Sequence, residues 1–222
     1  MARLLTGLAF SLGLILVVVG GAELFTGNNL IVMAWASGKV GTWQLLRNWG
    51  IAYVGNFVGA LGTALLVTLS RQYGFGAGAV GRTALAIAAS KVDFDFVQAF
   101  TLGVLCNGLV CLAVWLSFSA RTTMDRIVAV IPPITAFVAA GFEHSIANMY
   151  FLPVALLIQA VDPAFATASG VDLTRLGWES FLVRNLLPVT LGNLVGGSVL
   201  VAAVYWFVYL RPTRGARRRP PR

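Results

Sequence analysis

Three observations predict an all-α polytopic membrane protein made of two repeated halves, each containing a broken helix. First, 58% of the 222 residues are hydrophobic and only 11% are charged, with a mean hydropathy of +0.83; a soluble domain carries about 25% charged residues. Second, five apolar tracts cover roughly 4–38, 48–70, 96–119, 127–160 and 181–210, several of them long enough for the about 20 residues of a helical span. Third, the first and fourth tracts are interrupted by polar residues at matching places in an internal repeat.

The composition excludes several alternatives. A membrane β-barrel would show short alternating segments, and these tracts are continuous. A secretory leader would be followed by a soluble mature chain, which is not the pattern here. The net charge of +8 comes largely from the tail RPTRGARRRPPR, with arginines 211, 214, 217, 218, 219 and 222 and no acid. Beside a membrane helix such a cluster is a cytoplasmic anchor rather than a nucleic-acid site, within reach of anionic lipid. The expected division is a membrane domain over 1–211 and a basic, disordered cytoplasmic tail over 212–222. Cys106 and Cys111 lie on different faces of one tract without a metal-ligand pattern, which makes them packing residues.

In the first tract, residues 4–20 are apolar, Glu23, Thr26, Asn28 and Asn29 interrupt, and the apolar run resumes from Leu30 to Ala36. The fourth repeats this plan, with Glu143, His144, Ser145 and Asn148 as the interruption. At an offset of 120, Gly21, Glu23 and Asn28 of GAELFTGNN match Gly141, Glu143 and Asn148 of GFEHSIANM. A second pair follows in the same order: Gly-Asn-x-x-Gly around Asn56 and again around Asn193. Corresponding breaks in two halves mark a transport site at the membrane midplane. Five tracts do not divide evenly, however. A second half of three tracts with the break in the middle one leaves the first half without its opening helix, so an amino-terminal helix is expected to be missing from this sequence.

His144 is the leading functional candidate, because ionisable groups inside membrane segments mark ion and proton pathways. An unperturbed pKa of about 6.5 lets imidazole exchange protons near neutrality, so it can attract a weak-acid anion and hand it a proton. Thr26, from the other break, offers a hydroxyl to the same anion, and Asn107, a lone amide in an apolar helix, is placed to orient the imidazole. Glu23 and Glu143, at matching positions, are expected to cap backbone donors where each helix restarts, with Asn148 beside them. Phe10, Leu14, Leu24, Phe25, Phe137 and Phe142 flank the breaks, where bulky apolar groups form constrictions against hydrated ions. Lys91, ahead of Asp93 and Asp95, reads as a loop charge, either simply solvated or drawing anions to a vestibule.

The stretches AELFTGNN, LCNGLVCLAVWLS, AGFEHSIANM and NLLPVTLGN resemble the formate/nitrite transporter family, and the likeness runs from about residue 4 to 211. That resemblance implies homopentamers of six-helix protomers, an aquaporin-like fold and one pathway per protomer. It also implies that Thr26, Asn107 and His144 form the central site, that Phe10, Leu14, Leu24 and Phe137 form the constrictions, and that Lys91 lies near the outer vestibule. The expected function is a channel for small monovalent weak-acid anions in the inner (plasma) membrane. Formate is the main substrate expected, nitrite and hydrosulfide are the alternatives, and no cofactor or metal is called for. An intramembrane enzyme using Glu143 and His144 lacks a nucleophile or ligand cluster nearby. A neutral-solute pore gives no reason for a buried histidine.

Overall fold

A computed structural model describes residues 1–211; the basic segment 212–222 lies outside the described residues. Those residues are helical, without a strand among them. Five helices are long and apolar enough to cross a membrane: α1 (Ala2–Gly20), α3 (Thr42–Leu69), α5 (Phe96–Ser117), α6 (Thr123–Ala140) and α9 (Ser180–Leu210). Between them stand α2 (Val32–Ala36), α4 (Ala79–Val92), α7 (Ser145–Val161) and α8 (Pro163–Ala168). Helix α4 was not expected. Its sequence, AVGRTALAIAASKV, is too short and mixed to announce a span, and it places Lys91 in a last helical turn rather than in a loop.

Both expected breaks are present, and both begin in the same way. Helix α1 ends at Gly21 (φ 77°) and α6 at Gly141 (φ 75°), each in the left-handed region where glycine carries no Cβ penalty. After Gly21 the chain runs through a tight turn, Gly27–Ile31, into α2, whereas after Gly141 it restarts directly as α7. Helices α1 and α6 pack antiparallel. Gly7 is so close to Thr135 that an added Cβ would stand 2.8 Å from its Cα, and Phe10 meets Phe137 edge-on at 5.6 Å.

The second repeated motif sets the depth of the packing. Gly192 and Gly196 of α9 lie against the backbone of α5, where a Cβ would run into the carbonyls of Phe100 and Val104. Small residues in such a pattern let membrane helices approach closely. At their counterparts on α3, Gly55 and Gly59, an added Cβ would meet no other element within 4 Å. The two halves therefore match in sequence while one half packs a helix the other does not. Helix α9 carries three wide-turned segments, Ser180–Leu186, Val195–Ala203 and Trp206–Leu210, with the α-helical stretch Leu187–Leu194 between the first two. This brings Asn185 and Asn193 inward, and both are fully buried.

Candidate functional site

Each break frees backbone groups inside an apolar surrounding, where an unpartnered amide or carbonyl is costly. One asparagine closes each of them. Asn56 Nδ2 donates to the Glu23 carbonyl at 2.9 Å, and Asn56 Oδ1 accepts from the Phe25 amide at 3.0 Å. Asn193 repeats this at the second break: Nδ2 donates to the Glu143 carbonyl at 3.0 Å, and Oδ1 accepts from the Ser145 amide at 2.9 Å. The asparagine of each Gly-Asn-x-x-Gly motif is thus a backbone clamp, and in the second motif the glycines also allow close approach.

The two glutamates do not cap backbone donors as expected. Glu23 Oε2 accepts from Asn28 Nδ2 at 2.5 Å, and Glu143 Oε2 accepts from Asn148 Nδ2 at 2.8 Å. Each asparagine then donates to another in the following helix, Asn28 to Asn48 at 2.9 Å and Asn148 to Asn185 at 2.7 Å. Asn148 therefore does serve the second break, as a link rather than a cap. The capping is done elsewhere, since the asparagines and His144 take the freed amides and leave the carboxylates to bind side chains. Glu143 also pairs with Lys91 Nζ at 2.6 Å, with side chains 4% and 13% exposed. Lys91 is accordingly no solvated loop charge: α4 brings its ammonium onto a buried carboxylate.

His144 joins the two halves. Its Nδ1 accepts from the Ala147 amide at 3.1 Å, capping α7, and its Nε2 lies 2.9 Å from Thr26 Oγ1. A neutral imidazole has one donor and one acceptor nitrogen. With Nδ1 accepting, the proton sits on Nε2 and donates to Thr26. Thr26 itself is fully buried behind the ring, so it holds the imidazole rather than facing the pathway. Asn107 does not touch the imidazole. Its amide donates to the carbonyls of Thr26 at 3.2 Å and Asn193 at 2.7 Å, which fixes the backbone carrying Thr26. Cys111 Sγ reaches the same Thr26 carbonyl at 3.3 Å. That is a contact for a residue whose sequence context signals packing alone.

The ring of His144 faces a chamber of about 170 Å³, where it is the only polar side chain among the lining residues. Water takes about 30 Å³ per molecule, so the chamber holds a few small molecules. Phe10 and Phe137 separate it from a wider vestibule reached by Lys91 and Phe142, and Val17 and Leu24 separate it from a second vestibule on the other side. Leu14 lies on the chamber wall. Phe25 does not belong to these constrictions. Its ring turns away to pack edge-on against Tyr53 at 4.9 Å and Trp49 at 6.3 Å. The arrangement is a two-mouthed apolar path with one fixed imidazole at its centre.

The family described as "Formate/nitrite transporter" matches residues 1–207. The formate channel FocA of Escherichia coli (strain K12) is 47% identical over 215 residues, covering 95% of this chain and 75% of that protein. A probable formate transporter of Methanothermobacter thermautotrophicus is 39% identical and covers 95% of this chain and 77% of its own. Among solved structures, a pentameric formate channel with formate bound superposes with a TM-score of 0.85 at 47% identity, covering 94% of this chain and 84% of that one.

Proposed function

The chain belongs to the formate/nitrite transporter family, and from that premise we propose that it is a channel for small monovalent weak-acid anions with formate as its main substrate. The observation that carries the reading is the imidazole of His144, held between Thr26 and Ala147 at the wall of a chamber flanked on both sides by apolar residues. Such constrictions oppose a hydrated ion. A small anion that sheds its water there needs a donor, and the Nε2–H of His144, the only polar side chain among the chamber's lining residues, is the one at hand. For the ring to hand on a proton it must first gain one, and only Nδ1 has a free electron pair. That step makes the ring release the Ala147 amide.

Formate is favoured by the relatives, which are named for it at 47% and 39% identity. Nitrite, of the same charge and similar size, is the second reading, supported by the family as a whole. A homopentamer is proposed because the matched solved structure is described as pentameric. Placement in the inner (plasma) membrane with the carboxyl-terminal side in the cytoplasm is proposed from the basic tail.

The test is influx into proteoliposomes containing this chain, with formate or nitrite outside, at about pH 5.5 and about pH 7.5, either side of an unperturbed imidazole. Saturable flux above protein-free vesicles supports the channel, and the ratio of the two rates selects the substrate. A neutral solute such as glycerol passing while neither anion does would overturn the reading.

A further inference from the structure

The scaffold bonds at the two breaks come in repeat-related pairs: Asn56 with Asn193, Asn28 with Asn148 and Glu23 with Glu143. A further link at the first break breaks this symmetry. Asn29, in the turn Gly27–Ile31, is fully buried and donates from Nδ2 to the carbonyls of Phe25 at 2.9 Å and Thr26 at 3.2 Å. Its Oδ1 accepts from Ser198 Oγ of α9 at 2.9 Å. In the second half the repeat puts Met149 at the place of Asn29, and the register that matches Asn193 to Asn56 puts Leu61 at the place of Ser198. Neither side chain can make such a bond. The link belongs to the half that carries Thr26, whose own place in the repeat is taken by the apolar Ile146. It is therefore not part of the shared scaffold.

The link ends on the backbone that carries the imidazole's partner. A carbonyl oxygen has two lone pairs, and that of Thr26 receives Asn29 Nδ2, Asn107 Nδ2 at 3.2 Å and the weak donor Cys111 Sγ at 3.3 Å. Gly197, just before Ser198, makes room for this cluster. An added Cβ there would run into Asn107 Nδ2 and stand 2.7 Å from Asn29 Cβ and 2.8 Å from Cys111 Sγ. Both residues lie in the wide-turned segment Val195–Ala203, a helix form that recurs at functional sites. We propose that Ser198 and Asn29 are positioning residues for the pathway: through the Asn29 amide, α9 holds the Thr26 backbone where its hydroxyl meets His144 Nε2. This rests on the channel reading above. With the link cut, Thr26 holds the ring for a smaller fraction of the time, and apparent substrate affinity falls by that fraction.

The experiment measures formate influx against formate concentration in proteoliposomes of the whole chain, for the wild type and Ser198→Ala, with gel filtration to check that the variant keeps its size. Ser198 is only half-buried, so loss of its hydroxyl leaves the packing in place. KM should rise about threefold, within what one hydrogen bond is worth. The maximal rate should not change, because saturating formate selects the held arrangement. Ser198→Thr, which keeps the hydroxyl, should restore the wild-type KM. In a Thr26→Val background no hydroxyl is left to position, so adding Ser198→Ala should change KM no further, as coupled residues behave. An unchanged KM in Ser198→Ala would overturn the proposal. So would a fall in maximal rate alone, which is what fewer intact channels give, or a rise of the same size in the Thr26→Val background, which would mean a route other than Thr26. All three outcomes leave the wild-type formate flux, and with it the channel reading, standing. Absence of that flux overturns both.

Discussion

His144 Nε2 and Thr26 Oγ1 stand 2.9 Å apart although 118 residues separate them. This contact ties the two broken helices together at the chamber. Both ring nitrogens are engaged, so the imidazole is held in one orientation and one tautomer. Chemistry and architecture meet in one side chain, and a useful variant must separate them.

His144→Asn does so. Asparagine is a strong helix N-cap, so its Oδ1 can replace Nδ1 at the Ala147 amide, although its shorter side chain gives up the contact with Thr26. The fold should survive and the titration should not. The expected outcome is a protein of wild-type size by gel filtration whose formate influx, corrected for protein-free vesicles, no longer rises as pH falls from about 7.5 to about 5.5. Undiminished pH dependence in this variant would remove proton transfer from the role of His144.

Thr26→Val keeps the shape and removes the acceptor of the Nε2–H. A buried donor left unpartnered costs about 1–3 kcal/mol, and about 1.4 kcal/mol is a factor of ten. Formate flux should therefore fall about tenfold, and Thr26→Ser should restore it. Equal loss in both variants would mean that the methyl group rather than the hydroxyl matters.

The Lys91–Glu143 pair predicts a stability cost. Removing one member of a buried ion pair leaves an uncompensated charge, at about 3–5 kcal/mol. Lys91→Met should lower the melting temperature in detergent markedly, and adding Glu143→Gln should recover much of the loss, since glutamine can still accept from Asn148. If the double variant melts no higher than the single, the ammonium is needed for more than neutralising the carboxylate.

The sequence made the spans, the two breaks and the two repeat motifs legible, because each rests on composition or on local polar residues in an apolar run. His144 and Thr26 stood out for the same reason. What stayed hidden depends on where helices meet. Lys91 reads as a loop charge until α4 is seen to carry it to Glu143, and Phe25 reads as a pore residue until its backbone, fixed by Asn56, turns the ring toward Tyr53. The repeat itself held a further signal. Asn48 and Asn185 lie at the same spacing before Asn56 and Asn193, and they receive the equivalent bonds from Asn28 and Asn148. Extending the match by about two turns of helix would have found them. The repeat also shows where function departs from scaffold, since His144 occupies the place that Leu24 holds in the first half.

The clamp residues give the sharpest test of that scaffold. Asn193 uses its whole amide: Nδ2 donates to the carbonyls of Gly103 and Glu143 at 2.8 and 3.0 Å, and Oδ1 takes the Ser145 amide. Asn193→Leu, of similar volume, leaves the Glu143 carbonyl and the Ser145 amide buried without this partner, each worth about 1–3 kcal/mol, while the Gly103 carbonyl keeps its bond within α5. Asn193→Asp preserves the acceptor but loses both donated bonds and buries a carboxylate facing two carbonyls. Both variants should therefore fail to give a monodisperse protein in detergent, whereas Asn56→Asp, at a clamp that is only half-buried, should be purifiable with a lowered melting temperature. A well-folded Asn193→Leu protein would show that the second break is held by its neighbours and not by this amide.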